Sequence, residues 1–509
     1  MVLFGVASLS QASVESARYL RNALHYYQVG RYEKAKGYFI ALLSIGTSRE
    51  VALAHRYLDR PELSRLTTRT RKVPSSPPPS RKKDELLEES EEAPERTEKS
   101  IEALSAAALP QLSGYLREEA AFRVYKPGQL SKLRTIGYLA GTGRYSDAIS
   151  YKVSGRLWYD GVFDLTRHYP QAVVDDEKVD AQLRDAYADV SHGDWDVRVG
   201  KQQIVWGEAI GLFYADVVNA KDLREFVLPD FEFIRVPEWA TDAEYTSGDF
   251  HAEGIWLPWP EMDKVGRPGA EYAFPLSLPP NIPVTFGPAQ KPADSLDNGE
   301  AGARLSYRAN GWDLGIFHLR TWDKSPVYAG SLQPGLLTLT ETHPRLTIEG
   351  ATFAKEIHDV IVKGEFVYNW KKYFQSADPS AANGIVPKDY MDYLLGADYT
   401  FSNKVESTLQ IGQRMIRNYE SDLFEQKPLQ TTLTLWLRRS FLDKRLEPEA
   451  LVVKDLGSTD LMLRPKIAYK FFDHWKATLG ADIFDGPGDG QFGEFGNRDC
   501  IYSEVQYAF

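Results

Sequence analysis

Residues 500–509 read Cys500-Ile-Tyr-Ser-Glu-Val-Gln-Tyr-Ala-Phe509, and two kinds of side chain alternate along them. In an extended strand, Ile501, Val505 and Phe509 would lie on one face, and Tyr502 and Glu504 on the other. An apolar face, a polar face and an aromatic end are typical of the closing strand of a transmembrane β-barrel. Any half-buried antiparallel strand alternates in this way. The rest of the chain must therefore supply enough matching strands to close a barrel.

The composition excludes helical membrane spans but is compatible with a barrel. The 509 residues have a mean hydropathy of -0.39 and contain no apolar run of about 18 residues. Barrel strands are half polar, so they dilute the hydropathy signal. Aromatic residues make up 12% of the chain, including 28 Tyr and 11 Trp, as interfacial girdles require. A Tyr-rich soluble sandwich or propeller is the alternative at this stage.

Charge and chemistry-bearing residues narrow the possible functions. The net charge is -11, which argues against a nucleic-acid partner. Cys500 is the only cysteine, and the nine histidines show no ligand spacing. Acidic pairs such as Asp175-Asp176 lie in predicted loops, where a solvated charge is the usual interpretation. We therefore expect no metal, no cofactor and no enzymatic activity.

The N-terminal part differs from the rest of the chain. Residues 1–12 are short and apolar, and they resemble the end of a secretory signal peptide. A helix lead-in is the alternative. Residues 67–105 are rich in Pro, Ser and charge, which predicts a disordered linker.

Residues 13–66 are predicted to be helical and resemble a tetratricopeptide repeat. Small and aromatic residues at the repeat spacing would let two antiparallel helices pack closely. We expect Tyr27, Tyr32 and Phe39 to dock a periplasmic or inner-membrane transport component. A plain helical hairpin is the alternative. The positions that carry the repeat pattern are Ala23, Tyr27, Gly30, Tyr32, Ala35 and Phe39.

Residues 106–509 alternate with period two, and their connections alternate between short and long. This pattern predicts a mainly β protein, a transmembrane antiparallel barrel of about 18 strands with short periplasmic turns and long outer loops. An even strand count leaves both ends of the barrel chain, and hence the helical segment, in the periplasm. The predicted turns are 141–146, 191–194, 247–249, 309–311, 356–359, 402–404, 443–445 and 473–474. The predicted loops are 164–178, 207–234, 260–298, 323–335, 371–389, 418–430 and 484–497.

The least generic stretch lies between residues 195 and 260. It resembles a proteobacterial outer-membrane family known as domain of unknown function 1302. Members carry the strand Arg-x-Gly-x-Gln-x-x-x-Trp-Gly-Glu, an Asp/Asn-rich segment and Arg-x-Pro. The resemblance implies a porin-like barrel, and members are often thought to work with inner-membrane exporters. The matching positions are Arg198, Gly200, Gln202, Trp206, Gly207, Glu208, Asn219, Asp222, Arg224 and Pro237.

The segment 207–234 is too apolar for a free surface loop, because its charges stand among Phe213, Tyr214, Phe226 and Phe231. We expect it to fold into the lumen as a constriction. Packing at the barrel mouth is the alternative.

Basic residues on the predicted inner face suggest selectivity for anions, although they could instead pair across the lumen. Lys152 and Lys363 are also expected there, with the acids Glu365, Asp392, Asp398, Glu406 and Glu504. The pore-lining and constriction candidates are Arg156, Glu208, Asp216, Asp222, Arg224, Arg304, Arg308, Arg414, Arg438, Arg464, Lys466 and Lys470.

These patterns predict a bacterial outer-membrane transport protein with a periplasmic helical segment. The barrel would be the outer-membrane passage of an export system for a polysaccharide or a lipid-like molecule. A passive diffusion or uptake porin and a structural protein with a closed lumen are the alternatives. Outer-membrane lipid and the barrel assembly machinery are the other expected partners. Tyr507 and Phe509 are predicted to form the closure and assembly signal, with strand 499–509 paired to residues 112–125.

Overall fold

The computed structural model describes residues 110–509 other than 126–127, 275–281, 334, 379 and 425. It also describes six helical residues nearer the N-terminus, which are Ala23, Lys36, Phe39, Ala54, Tyr57 and Leu58. The predictions for residues 1–12 and 67–105, and those for Tyr27 and Tyr32, lie outside the described residues.

Phe39 requires a correction. Its side chain is fully buried and its ring stacks on that of Tyr57, with the centroids 4.8 Å apart. A buried aromatic ring packs helices together, so Phe39 is not an exposed docking residue.

The dominant element is a closed ring of 18 antiparallel strands, which confirms the predicted barrel. Each strand pairs with the next barrel strand along the chain, and the last pairs with the first. The barrel strands are β1 (Gln111–Arg123), β2 (Gln129–Ser146), β3 (Ile149–Asp160), β4 (Val179–His192), β5 (Trp195–Gln202), β7 (Glu238–Ser247), β8 (Phe250–Leu257), β11 (Glu300–Ala309), β12 (Trp312–Trp322), β15 (Arg345–Ile357), β16 (Val360–Gln375), β17 (Ile385–Thr400), β18 (Val405–Ile416), β19 (Leu429–Arg439), β20 (Leu446–Asp455), β21 (Leu461–Phe472), β22 (Trp475–Asp485) and β23 (Cys500–Ala508).

Five shorter strands and several helical turns lie in the connections. The strands are β6 (Asp222–Leu223), β9 (Lys264–Val265), β10 (Val284–Phe286), β13 (Val327–Gln333) and β14 (Leu336–Thr342). The α-helices are α1 (Val162–Leu165), α2 (Gln171–Glu177) and α3 (Phe231–Ile234), and the 3-10 helices are Leu296–Asn298, Ala382–Gly384 and Gly493–Phe495. Within the described part of the chain, no helix has both the length and the apolar character needed to span a bilayer.

The connections divide the barrel into two rims. The turn rim has eight short connections, at 147–148, 193–194, 248–249, 310–311, 358–359, 401–404, 440–445 and 473–474. The loop rim has nine, at 124–128, 161–178, 203–237, 258–299, 323–344, 376–384, 417–428, 456–460 and 486–499. The sequence did not predict loops at 124–128 and 456–460, because these two connections are about as short as the longer turns of the other rim. Both ends of the barrel chain lie at the turn rim, as an even count requires.

The exterior of the barrel is apolar and carries aromatic residues at both rims. On β23, Ile501, Val505 and Phe509 are exposed, whereas Glu504 faces the lumen and lies 3.7 Å from Arg117. Exposed tryptophans mark the turn rim at Trp195, Trp312 and Trp475. They mark the loop rim at Trp239, Trp256, Trp259 and Trp370. Such belts lie at the two membrane interfaces of outer-membrane barrels. The chain is therefore an outer-membrane β-barrel.

The closing seam joins β23 to β1 in one register, from Tyr115 opposite Ala508 to Arg123 opposite Cys500. This confirms the predicted pairing. Phe509 extends the seam, because its amide donates to the Gly114 carbonyl at 2.9 Å and its carbonyl accepts from the Gly114 amide at 3.0 Å. A Cβ atom on Gly114 would lie 2.4 Å from the Tyr138 carbonyl oxygen and 2.8 Å from the Phe509 ring. Only glycine lets the ring of Phe509 pack there.

We predict that Gly114→Val prevents normal closure, because the new side chain overlaps backbone that has no room to shift. Overpacking of this kind costs about 1–3 kcal/mol. The measurement is the heat-modifiable, folded fraction of the protein in outer membranes. Gly254→Val is the control, since a Cβ atom on Gly254 meets nothing within 4 Å. Equal folded fractions for the two variants would contradict the role of Gly114 in the seam.

Candidate constriction of the lumen

The segment 203–237 leaves β5 at the loop rim, folds into the lumen and returns to β7. Its main chain accepts hydrogen bonds from Arg184 on β4, Arg414 on β18 and Arg464 on β21. Its amides donate to Glu365 on β16 and Gln410 on β18. These strands lie on opposite sides of the ring. We call residues 203–237 the inner segment, because it crosses the lumen from wall to wall.

Trp206 and Gly207 begin the inner segment. The Trp206 ring is buried against Phe317, and its Nε1 donates to Glu253 Oε1 at 2.9 Å. A Cβ atom on Gly207 would lie 2.6 Å from the Asp216 amide nitrogen. A glycine is therefore needed for the chain to double back at this point. This is the physical reason for the Trp-Gly pair that the sequence pattern contains.

Glu365 anchors the first turn of the inner segment to the wall. One of its carboxylate oxygens accepts from the Glu208 amide, and the other accepts from the Ala215 amide at 2.8 Å. Gln410 adds a third contact, because its Oε1 accepts from the Ile210 amide at 3.1 Å. Buried amides without partners would cost about 1–3 kcal/mol each. The two wall side chains thus fix where the segment enters the lumen.

Glu225 anchors the middle of the inner segment to the opposite wall. Its carboxylate forms ion pairs with Lys132 and Arg134 on β2, and Arg134 also binds Asp160 at 3.2 Å. Burial would raise the pKa of Glu225, but the attraction of Arg134 and Lys132 outweighs burial and holds the pKa well below its ordinary value. Glu225 therefore stays charged at neutral pH, and the pair persists.

Glu177 on α2 is a second acid in this region. Burial, together with the charge of Glu225, raises the pKa of Glu177 to about 8. Of these two acids, Glu225 is charged and Glu177 is largely protonated at pH 7. The two cations of β2 thus share Glu225, with Asp160 beside Arg134 and Glu119 3.8 Å from Lys132.

Wall arginines hold main-chain carbonyls of the inner segment. Arg464 Nη2 donates to the Leu228 carbonyl at 2.7 Å, and Arg414 Nη2 donates to the Phe213 carbonyl at 3.2 Å. Both arginines also pair with wall carboxylates, Arg464 with Asp482 and Arg414 with Asp392. Their charge is thus neutralised by the wall, and their remaining N–H groups hold the segment.

An apolar core fills the lumen beside these contacts. Phe226 lies at its centre, with its ring centroid 4.9 Å from that of Phe495 and 5.9 Å from that of Phe274. These two rings come from the loops 486–499 and 258–299. Three loops therefore pack together inside the barrel. The buried members are Leu212, Tyr214, Phe226, Val227, Ile234, Tyr272, Leu394, Val453, Met462, Phe484, Phe492 and Phe495.

The predicted basic residues of the wall lie beside acids, often directly across a strand pair. Arg414 faces Asp392, Arg438 faces Glu406 and Lys466 faces Glu449, at 3.0, 2.7 and 3.0 Å. Cross-strand pairs of opposite charge stabilise a sheet. The lumen therefore presents paired charges over much of its wall, rather than a ring of free cations.

Other predicted wall residues have different surroundings. Arg308 pairs with Asp313 near the turn rim at 3.1 Å. Arg304 donates to Thr352 at 3.3 Å. Arg156 lies 4.4 Å over the ring of Phe233. Lys470 is half-buried on β21.

The inner segment also carries its own ion pairs. Asp216 binds Arg235 at 2.6 Å, and Asp222 binds Arg224 at 2.6 Å. Arg224 also reaches Asp180 on β4 at 2.6 Å. Glu208 is exposed at the start of the segment.

The sequence patterns missed several residues that position the inner segment. Lys132 and Arg134 have no motif, and their partner lies more than 90 residues away. Lys324 is buried between Glu238 and Glu300, at 3.0 and 2.8 Å. For Lys132 and Arg134, the only signal in the sequence is a basic residue at a strand position whose side chain would point into the lumen. Among the described residues, no group of three or more His, Cys, Asp or Glu is placed to hold a metal ion.

With the geometry in place, the chain can be compared with known proteins. The family described as "Protein of unknown function (DUF1302)" matches residues 142–509. The chain belongs to this family. The Trp-Gly-Glu and Arg-x-Pro elements of this DUF1302 chain lie in or beside its inner segment, so the family pattern coincides with the constriction. No curated protein matches the DUF1302 chain.

Solved structures similar to the DUF1302 chain are outer-membrane proteins of low identity. OccAB1 of Acinetobacter baumannii has a TM-score of 0.45 and 11% identity, over 79% of this chain and 96% of that chain. OccK9 (OpdG) of Pseudomonas aeruginosa has a TM-score of 0.45 and 10% identity, over 79% and 97%. OmpF of Salmonella typhi, in complex with daunomycin, has a TM-score of 0.39 and 8% identity, over 79% and 97%.

We predict that Glu365→Ala frees the first turn of the inner segment, because two amides lose their acceptor at a cost of about 1–3 kcal/mol each. The measurement is limited proteolysis of the folded barrel in detergent, with cleavage sites mapped by mass spectrometry. New cleavage is expected between residues 207 and 216. Glu406→Ala is the control, since Glu406 pairs with Arg438 on the wall. Identical cleavage of the two variants would remove Glu365 from this role.

Proposed function

We propose that the barrel is a gated outer-membrane passage that exports a lipid-like molecule or a polysaccharide to the cell surface. The inner segment is its gate. An 18-stranded barrel leaves a lumen too wide for wall side chains to fill. Here loops and the inner segment fill it. A passage through this barrel requires the inner segment to move.

The observation that carries the proposal is how the inner segment is attached. The barrel wall is a continuous hydrogen-bonded ladder over most of its circumference, whereas the segment is held by side-chain contacts to the wall and by the apolar core around Phe226. Glu225 with Lys132 and Arg134, and Glu365 with two amides, are the main polar anchors. A region attached outside the ladder can open locally without unfolding the ladder that surrounds it. The segment can therefore move while the barrel stays closed.

The proposed role of the N-terminal part is to bring a partner to the turn rim. Export requires an inner-membrane or periplasmic component that delivers the substrate, and residues 14–100 would bind this component. Deleting residues 14–100 should abolish surface delivery of the substrate and leave the folded barrel in the membrane. If this deletion leaves the surface secretion of every candidate polymer and lipid unchanged, the export hypothesis is refuted.

Two rival functions make different predictions. A passive porin conducts ions as a purified wild-type barrel, and deletion of residues 14–100 does not affect it. A structural protein with a closed lumen conducts no ions even after the segment 207–234 is removed. Single-channel recording of the full chain and of the two deletions separates the three cases.

We predict that Glu225→Gln opens the passage. The variant removes the carboxylate that Lys132 and Arg134 share and leaves them with the wall acids Glu119 and Asp160 only, and breaking a buried pair of this kind costs about 3–5 kcal/mol. The open fraction in planar bilayers should rise by at least about tenfold. Glu406→Gln is the matched control, because that acid pairs with Arg438 away from the inner segment.

The pH dependence tests the same anchor. The folded-state pKa of Glu225 is depressed, so its stabilising charge is present above the ordinary pKa and is lost only as the pH falls through the folded value. The open fraction of Glu225→Gln should therefore still exceed that of the wild type at a pH of about 4.5, where an ordinary glutamate is half protonated. Equal open fractions at that pH, or a Glu225→Gln variant as silent as Glu406→Gln, would refute the anchor.

A further inference from the structure

The ladder of the barrel wall is interrupted between β4 and β5. Ala186 of β4 faces Lys201 of β5, and no earlier β4 residue is in register with β5. On its other side, β4 pairs with β3 as far as Val179. The residues Val179–Asp185 therefore extend beyond the end of β5, by roughly 20 Å along the strand. We call this gap, between the start of β4 and the start of β7, the notch.

The notch lies at the height of the apolar exterior. Leu157 and Tyr159 of β3, and Val179 and Leu183 of β4, are exposed on its β4 side. On its β7 side stand the exposed rings of Trp239 and Trp259, 6.5 Å apart. Apolar and interfacial residues on both flanks indicate that the notch opens towards the outer leaflet rather than towards water.

Part of the inner segment covers the notch from inside, and side chains hold it there. Arg184 Nη2 donates to the carbonyls of Glu232 and Arg235, at 2.5 and 2.7 Å. Arg224 Nη2 binds Asp180 at 2.6 Å. Within the described ranges, no backbone hydrogen bond joins Val179–Asp185 to this cover. Among the residues that the structure describes, this edge of β4 therefore has no backbone partner in the cover, which closes the notch with side chains alone.

The backbone of the cover bonds to itself and to the loop 258–299, and among the described residues none of these bonds reaches β4. We call residues 220–236 the strap. The Val236 amide donates to the Ala220 carbonyl at 2.8 Å, and the Lys264 amide of the loop donates to the Lys221 carbonyl at 2.8 Å. β6 also pairs with β9 of the loop in parallel. Moving the strap away from β4, together with the loop residues bonded to it, breaks side-chain contacts and leaves these backbone bonds intact.

The lumen behind the notch combines aromatic rings with guanidinium groups. Phe233 lies under Arg156, at 4.4 Å, and near Arg184, at 5.7 Å. Trp158 is buried beside them, 4.9 Å from the Arg156 guanidinium carbon. In the part of the chain that the structure covers, neither Arg156 nor Arg184 forms an ion pair with a carboxylate. Apolar rings with cations that lack an anion suit an amphipathic molecule that carries an anionic group.

We propose that the notch is a lateral opening, which the strap closes, through which an anionic amphiphile passes between the lumen and the outer leaflet. This inference rests on the proposed gated passage and names its substrate class as lipid-like. The chain of a lipid would leave sideways through the notch, so that it never crosses the aqueous loop rim. Its anionic group would meet Arg156 and Arg184.

The test places a photo-reactive residue behind the notch. The full chain, with p-benzoylphenylalanine in place of Phe233, is reconstituted in phosphatidylcholine vesicles that contain alkyne-tagged palmitate. The matched control carries the same residue in place of Tyr214, which lies on the same inner segment but places its ring against Gly412 and Arg414 of β18, where the ladder is unbroken. Heat-modifiability confirms that both barrels are folded. We expect an adduct with palmitate at position 233 and none at position 214.

Two further arms test the gate and the charge. Asp180→Ala removes the contact between Arg224 of the strap and β4, and it should raise the adduct at position 233 by about tenfold. Arg438→Ala, which breaks a pair on the wall, should leave that adduct unchanged. Alkyne-tagged hexadecanol, which lacks the anionic group, should give a weaker adduct than palmitate.

Equal adducts at positions 233 and 214, or no adduct at either, would overturn the lateral route. Equal adducts from palmitate and hexadecanol would overturn the anionic class. The gated passage can fail separately. If the Glu225→Gln barrel conducts while position 233 stays unlabelled, the gated passage is supported and the lateral opening is refuted. If position 233 is labelled in a barrel that never conducts, the lateral opening is supported and the gated passage is refuted.

Discussion

Every backbone amide and carbonyl that faces lipid needs a partner within the protein, and this constraint shapes the whole molecule. The ring meets it by pairing β23 with β1, and the seam extends to Phe509 because Gly114 leaves room for its ring. A closed ring of 18 strands then creates a second requirement, since its lumen is too wide for side chains to fill. The inner segment and two other loops occupy that space.

The wall charges follow from the same geometry. Strands in register place Arg414 opposite Asp392 and Arg438 opposite Glu406, so each cation is neutralised by its neighbour. Removing one member of such a pair would leave an uncompensated charge in a partly dry lumen. The wall is thereby satisfied without the inner segment. Contacts to the segment use the remaining N–H groups of wall cations, as on Arg414, or a second ion pair, as between Lys132 and Glu225.

The sequence predicted the barrel far better than the site. Alternation and turn spacing are local, so the strand count and the closing pair could be predicted from them. The apolar residues among the charges of 207–234 predicted the inward fold of that segment. The anchors could not be predicted, because Glu225 meets Lys132 across 93 residues and Glu365 meets Glu208 across 157. Such contacts depend on which strands face each other across the ring. The prediction for Phe39 was wrong for a different reason. An aromatic residue at a repeat position was predicted to dock a partner, but its side chain is buried.

Two kinds of bond therefore hold the molecule together, and they differ in how they fail. The ladder is cooperative, because opening one strand pair in lipid exposes many amides together. The strap and the inner segment are attached by separate side chains, such as Arg184, Glu225 and Glu365, and each contact can break alone. At the notch the ladder itself is missing, so only separable contacts close the wall there. If part of this wall opens while the rest stays intact, the notch is a place where no ladder hydrogen bond has to break.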